Sequence, residues 1–275
     1  MYGAVDIGGT KTLVVTFSKD GQIQERHKFP TPKRYNDFLQ ELAKVVDKLS
    51  TKDIVRTVVA VPGLLDRTHG IGIAFGTLTW ENVPLQEDVE KIFHCPIVIE
   101  NDSKLAALSE AGLLKNEFHK VLYVTVSTGI GGGLIINGQI EKQLEDIEIG
   151  QMLLEHQGKL QRWEDFASGS AIVAKFGKRA GEITDQGDWY IIARNIALGL
   201  NSLIATLDPE VIVLGGGVGT HFDQFKDRLT EELHLYENPL MPTPPIRQAQ
   251  RSEDAVIYGC YELAKERYGK DTGHA

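Results

Sequence analysis

Ala4-Val5-Asp6-Ile7-Gly8-Gly9-Thr10-Lys11-Thr12-Leu13-Val14-Val15 and, further on, Val121-Leu122-Tyr123-Val124-Thr125-Val126-Ser127-Thr128-Gly129-Ile130-Gly131-Gly132-Gly133-Leu134-Ile135-Ile136 follow one plan. Each is an apolar strand, a glycine-rich turn and a second apolar strand, because short apolar runs bounded by glycine read as buried strands. Between them, Pro96-Ile97-Val98-Ile99-Glu100-Asn101-Asp102 ends an apolar strand on an exposed carboxylate. The repeated hairpin suggests an internal duplication, one hairpin opening each of two lobes. No Ser-, Pro- or Gly-rich linker separates them, and the boundary is placed near residue 104. The small lobe is then 1–104 with about 255–275, its last helix (around Ala255 to Ala264) packing back, and the large lobe is 105–254.

Strand and helix patterns alternate along the rest of the chain, which is the signature of an α/β fold. Tyr35, Phe38, Leu39, Leu42, Val45, Val46 and Leu49 recur at helical spacing. Arg56–Val61 reads as a strand stopped by Pro62-Gly63, Leu85 to Phe93 as a helix, and Ser103–Gly112 as a helix closed by its glycine. Ile191 to Leu207 is a long apolar helix that breaks at Asp208-Pro209, and Val211–Leu214 is a buried strand running into Gly215-Gly216-Gly217.

Composition narrows the function classes. With 275 residues, 42% of them hydrophobic, the chain can bury a substantial core. Its 29 basic and 38 acidic residues leave a net charge of −9, which argues against nucleic acid as the main partner. Two distant cysteines, Cys95 and Cys260, indicate neither a disulfide framework nor a cysteine zinc site. Asp6 and Lys11 interrupt the first apolar stretch, so it is no secretory leader. No window offers the roughly 18 uncharged apolar residues of a membrane span. A soluble, cytoplasmic protein with no membrane partner is expected.

The chemistry lies in the turns. Gly8 and Gly9 let the backbone approach an oxygen-rich ligand closely. Their amides, with the Thr10 and Thr12 hydroxyls, suit terminal phosphates, and Asp6 suits Mg²⁺ held through water. An ordinary hairpin explains one glycine pair equally well. The Ser127–Gly133 run is denser than a hairpin turn needs, which points to phosphate binding there. Asp102 is a candidate general base for a phosphoryl acceptor, but an acid ahead of a helix is also a common N-cap, a role Ser103 could fill instead. Gly215-Gly216-Gly217 resembles a nucleotide-binding turn, and a plain strand-to-helix turn accounts for it almost as well. Glu148 and Glu164 read as surface acids. Two phosphate-cradling turns with an acid at a strand end between them describe a phosphoryl-transfer enzyme.

Taken together, Asp6–Thr12, Glu100-Asn101-Asp102 and Ser127–Gly133 resemble the ROK family of sugar kinases. The likeness continues through Val61-Pro62-Gly63, Trp80–Leu85, Ala167-Ser168-Gly169, Leu207–Gly217 and Glu253-Asp254-Ala255 with Gly259, in family order. The resemblance implies a two-lobed actin/hexokinase/Hsp70-like ATPase fold with ribonuclease H-like lobes and a cleft between them. It also implies an ATP- and Mg²⁺-dependent hexose 6-kinase, glucose first among the sugars. By position, Asp6, Gly8, Gly9, Thr10, Lys11 and Thr12 would hold Mg²⁺ and phosphates. Thr128, Gly129, Gly131 and Gly132 would form the second phosphate loop, and Gly215, Gly216 and Gly217 would flank adenosine. Gly63, Asn101, Asp102, Glu148, Glu164 and Thr77 would line the sugar site, with Asp102 activating the 6-hydroxyl. A homodimer is the family expectation.

The departures from the family pattern cluster in one place. Gln151 stands at the position of a zinc-binding His, and Gln151–Gly169 holds no cysteine, so no zinc is expected. Thr77 stands where relatives carry a sugar-contacting Asn. These changes leave open an N-acetylmannosamine or other hexose kinase, a polyphosphate-dependent glucokinase, and a non-catalytic sugar-binding regulator. Met1 directly precedes the first strand, which disfavours a DNA-binding repressor. Lys104 reads as a solvated helix position.

Overall fold

β1 (Tyr2–Ile7) and β2 (Lys11–Phe17) form the first expected hairpin, with Ile7 opposite Thr12 across the Gly8–Thr10 turn. The computed structural model describes residues 1–76 and 78–273, which divide into two compact units. The first comprises residues 1–109 with those from 254 onward, and the second residues 110–253.

In the first unit, β3 (Ile23–Pro30) extends the hairpin on one side, while β4 (Arg56–Val61) and β8 (Ile97–Asn101) add in parallel on the other. The order is β3-β2-β1-β4-β8. The edge strand β3 alternates between half-buried and exposed residues, with only Phe29 buried, whereas β4 is buried throughout, so only the centre can be a continuous apolar run. α1 (Tyr35–Asp47) buries Phe38, Leu42 and Val46, spaced by four on one helical face. α2 (Leu85–Phe93) buries Leu85, Val89 and Phe93. Between β4 and α2, a small antiparallel sheet of β5 (Leu64–Asp66), β6 (Ile71–Phe75) and β7 (Leu78–Val83) places Phe75 and Trp80 in the same core. α3 (Asp102–Leu114) follows β8 directly. It runs two residues past Gly112, which lies inside the helix and does not close it.

The second unit repeats that topology. β9 (Lys120–Val126), β10 (Ile130–Ile136) and β11 (Gln139–Ile140) form the antiparallel part, and β14 (Val211–Gly215) and β15 (Ile246–Gln248) the parallel part. The order β11-β10-β9-β14-β15, with its strand directions, matches the first sheet position for position. β12 (Leu153–His156) and β13 (Lys159–Arg162) make a tight hairpin whose central residues Gln157 and Gly158 both have positive φ, the geometry that suits strand twist. Two short helices come next, α4 (Trp163–Ala167) and α5 (Gly169–Phe176).

Then α6 (Gln186–Leu207) runs through the core and stops at Asp208, which adopts φ 46° ahead of Pro209. By length and composition α6 could cross a bilayer, which the sequence reading did not anticipate. It nevertheless carries Arg194 and buries Trp189, Ile192, Ile196, Leu200 and Leu203 against this sheet, as a core helix does. α7 (Gly216–Gly219) and α8 (Lys226–His234) complete the unit. The chain then returns to the first unit as α9 (Ala255–Thr272), which packs on β1 and β4. There, a Cβ on Gly259 would lie 2.0 Å from the Leu105 carbonyl, so only glycine permits the approach of α9 to α3.

Candidate active site

In the first unit the three parallel strands β1, β4 and β8 end together, and the candidate residues follow their carboxyl ends: the Gly8–Thr10 turn, Pro62-Gly63, and Asp102. That edge is where open α/β sheets bind ligands. Gly9, Thr10 and Lys11 are exposed, whereas the Gly8 amide, expected to meet a phosphate, donates to the Lys11 carbonyl at 3.0 Å instead. Asp6, next to last on β1, is half-buried, and its carboxyl is pushed up from 3.8 to about 7. Burial is the main cause; the negative charge of Asp102 adds to it and Lys11 opposes it. Asp6 and Asp102, nearly a hundred residues apart in sequence, thus share one electrostatic environment.

Thr12 belongs to a different class from the one expected. It is fully buried, and its hydroxyl lies 2.9 Å from that of Thr31, so it faces the protein and offers nothing to a phosphate. Thr31 itself donates to the Gly8 carbonyl at 2.7 Å. Thr31 carries no local signal of this role, since it lies 23 positions from Gly8 and only strand pairing brings it to the turn.

At the end of β8, Asn101 is the helix cap. Its Oδ1 accepts the Ser103 amide (2.9 Å) and hydroxyl (2.6 Å), while its Nδ2 donates to the Gly63 carbonyl at 3.1 Å. Asn101 is buried and paired with Gly63, and that bond takes one of its two Nδ2 hydrogens. Ser103 is therefore a capped residue, not the cap. Asp102 opens α3 half-buried, not fully exposed, with Oδ1 accepting the Ser103 amide at 2.7 Å. Arg67 grips both oxygens of the buried Glu100 at 2.6 to 3.1 Å, fixing the strand end from behind. Lys104 is 2% exposed, so it is a buried helix position and not a solvated one. Thr77 lies outside the described residues.

In the second unit β9 and β14 also end together. The turn there is only Ser127–Gly129, closed by the Ser127 amide on the Gly129 carbonyl at 2.9 Å. Gly131 and Gly132 lie within β10, paired with Thr125 and Val124, which corrects their assignment to the loop. Gly132 is required by packing, since a Cβ there would meet the Tyr123 carbonyl at 2.4 Å and Ile149 at 2.5 Å. The start of α5 clamps the turn, the Gly169 amide donating to the Ser127 carbonyl at 2.6 Å. Gly216 has φ 78°. Gly215 is pressed against the Tyr123 ring, and only Gly217 faces open space. A cavity of about 950 Å³ opens beside Thr128, Ser170, Arg179, Gly181, Glu182 and Gly217. The Arg179–Glu182 turn in its wall, where the Arg179 amide donates to the Glu182 carboxylate at 2.8 Å, had only a weak local capping signal in the sequence.

Glu164 sits between this turn and the β12–β13 hairpin. One carboxylate oxygen accepts the Gln151 amide at 2.5 Å; the other lies where a Cβ on Gly129 would come within 2.9 Å. Arg162 donates to the Gln151 Oε1 at 3.3 Å and pairs with Asp165 at 2.8 Å. Glu148 precedes Gln151 in the same short turn, whose closing bond runs from the Gln151 amide to the Glu148 carbonyl at 3.0 Å. Both expected glutamates therefore flank Gln151, the residue at which the chain departs from the family pattern. Among the described residues, no three of His, Cys, Asp and Glu gather closely enough to hold a metal on their own.

The model of the ROK family matches residues 2–267. A glucokinase from Streptomyces coelicolor is 26% identical, over 95% of this chain and 96% of its own length. An N-acetylmannosamine kinase from Vibrio cholerae is 31% identical, over 96% and 99%. A crystal structure of a ROK family glucokinase from Streptomyces griseus in complex with glucose and AMPPNP superposes with a TM-score of 0.80 at 23% identity, covering 96% of this chain and 99% of that one.

Proposed function

The chain belongs to the ROK family and is a sugar kinase acting on a hexose, and from that premise we propose that it transfers the terminal phosphoryl group of Mg-ATP to the 6-hydroxyl of glucose. The observation that carries this reading is the placement of Asp102 at the carboxyl end of β8, in the electrostatic reach of Asp6 at the end of β1. Asp102 orients the acceptor hydroxyl and takes its proton as the new phosphate ester forms. The Gly8–Thr10 turn and Lys11 bind the phosphate chain, and the cavity beside Gly217 takes the nucleoside. That cavity supports ATP over polyphosphate, which has no nucleoside to fill it. Asp6 fits a divalent cation: it is a hard oxygen donor beside a second carboxylate, whose repulsion a cation relieves. Mg²⁺, held by Asp6 through water and by the phosphates, would neutralise charge on the transferred group. Glu148 and Glu164 bind sugar hydroxyls. Such a reaction places the enzyme in the cytoplasm, with its nucleotide donor.

A second reading is favoured by the 31% identity to an N-acetylmannosamine kinase, and it differs in the group accommodated near Gln151. The test is coupled ADP release with Mg-ATP against glucose, mannose, fructose, N-acetylmannosamine and N-acetylglucosamine. The highest kcat/KM is expected with glucose, and an N-acetylmannosamine maximum selects the second reading. Product from polyphosphate and glucose, but not from ATP, would move the donor. Sugar-dependent thermal stabilisation without product under either donor would leave a binding protein and sink the kinase assignment.

A further inference from the structure

Around the first glycine turn the carbonyls and the amides are treated differently. Thr12 donates its hydroxyl proton to Thr31 Oγ, and Thr31 donates its own to the Gly8 carbonyl at 2.7 Å. The Thr31 amide takes the Thr10 carbonyl at 3.1 Å. On the opposite side, the Gly9 and Thr10 amides form no hydrogen bond among the described residues, and both residues are exposed. A trans peptide points its C=O and N–H in opposite directions. Holding the Gly8 carbonyl inward therefore turns the Gly9 N–H outward. Glycine peptides flip easily because neither neighbour carries a Cβ to resist it, so this orientation has to be imposed from outside the turn.

Thr31 is well built to impose it. It sits between Pro30 and Pro32, where one ring limits the backbone before it and the other confines Thr31 to extended geometry. It is anchored at the end of β3 in register with the turn, Lys11 opposite Pro30.

We propose that Thr31 is a positioning residue for the phosphate-binding turn, locking the Gly8–Gly9 peptide so that the Gly9 amide faces the donor phosphates. The inference rests on the functional reading above for its ligand, and on geometry alone for the locked peptide. Thr31→Val removes the hydroxyl and leaves a valine of nearly the same shape. It is expected to raise KM for Mg-ATP about tenfold, the value of one hydrogen bond, with the sugar KM unchanged. Exchange of the Gly8 amide, which donates to the Lys11 carbonyl at 3.0 Å when the turn is locked, should accelerate in the same variant without ligand. Thr31→Ser should restore both readouts. Thr12→Val, which leaves the Thr31 bond to Gly8 in place, should keep the nucleotide KM within about twofold. Unchanged exchange in Thr31→Val overturns the inference, as does a rise in sugar KM in step with that for nucleotide, or equal effects in Thr12→Val. Failure of the functional reading would appear instead in the wild-type protein, as no turnover with Mg-ATP, and would remove the phosphate ligand while exchange still reports on the peptide lock.

Discussion

The two glycine turns occupy the same place in two sheets of the same topology, yet they are equipped for different work. In the first, the next-to-last strand residue is Asp6, half-buried and lifted to about 7; in the second it is Thr125, which carries no charge. The first is tied through its carbonyls to Thr31 and presents the Gly9 and Thr10 amides, with Lys11 alongside, while the Gly8 amide closes the turn on the Lys11 carbonyl at 3.0 Å. The second is clamped by the α5 amides and backed by Glu164, and opens on a cavity with room for a nucleoside. A duplicated scaffold sets where backbone comes close to a ligand. Single side chains then decide which copy handles charge and which handles shape.

The division breaks most visibly at Asp102. Asp102→Asn keeps the helix start but loses the base, and turnover should fall roughly 10²–10⁴-fold with sugar binding retained. Near-normal activity in that variant ends the assignment. On the second turn the glycines answer to packing, so Gly132→Ala should cost about 1–3 kcal/mol of stability by overpacking, read as a lower midpoint in urea, with both KM values preserved. A change in nucleotide KM alone would return Gly132 to the phosphate loop.

Asp6 gives the comparison a pH axis. Its folded value lies above 3.8, so the folded state holds this proton more tightly from about pH 4 to 7, and the stability it contributes is lost as pH rises through 7. Without divalent cations, Asp6→Asn should melt higher than wild type at pH 8 and level with it near pH 4, while phosphoryl transfer is lost. Equal melting temperatures at both pH values would contradict the buried charge. The smallest effect is expected at Gln151. Gln151→Ala frees one oxygen of Glu164 and should raise the sugar KM several-fold, about the weight of one charge-assisted bond at a partly exposed site, leaving nucleotide KM alone.

Much of this was legible in the sequence. Both hairpins, β4, β8, β14, α1, α2 and the end of α6 were marked by apolar runs, helical spacing and glycine or proline stops, because central strands and one-faced helices leave a local trace. What escaped depends on contacts distant in sequence. Thr31 reaches Gly8 only through strand register, and Thr12 lies between Ile7 of β1 and Phe29 of β3, where it meets Thr31. Gly132 looked like loop because Ile149, which packs over it, lies 17 residues on. The β12–β13 hairpin turns on Gln157-Gly158, a weaker signal than Asn-Gly; β5 is too short to carry a pattern, and β7, half polar and mostly not buried, offers no apolar run. That Asn101 also holds the α3 amides and the Gly63 carbonyl depends on β4 lying beside β8, which no local pattern reveals.

Everything above turns on transfer of phosphate to the 6-hydroxyl of glucose through the charged turn. Following the wild-type protein with Mg-ATP and glucose by ³¹P NMR tests it most directly. ADP and a phosphomonoester at C6 are expected in equal amounts, and neither with Asp102→Asn. Phosphate at another carbon, or ADP and free phosphate without a sugar ester, would contradict it.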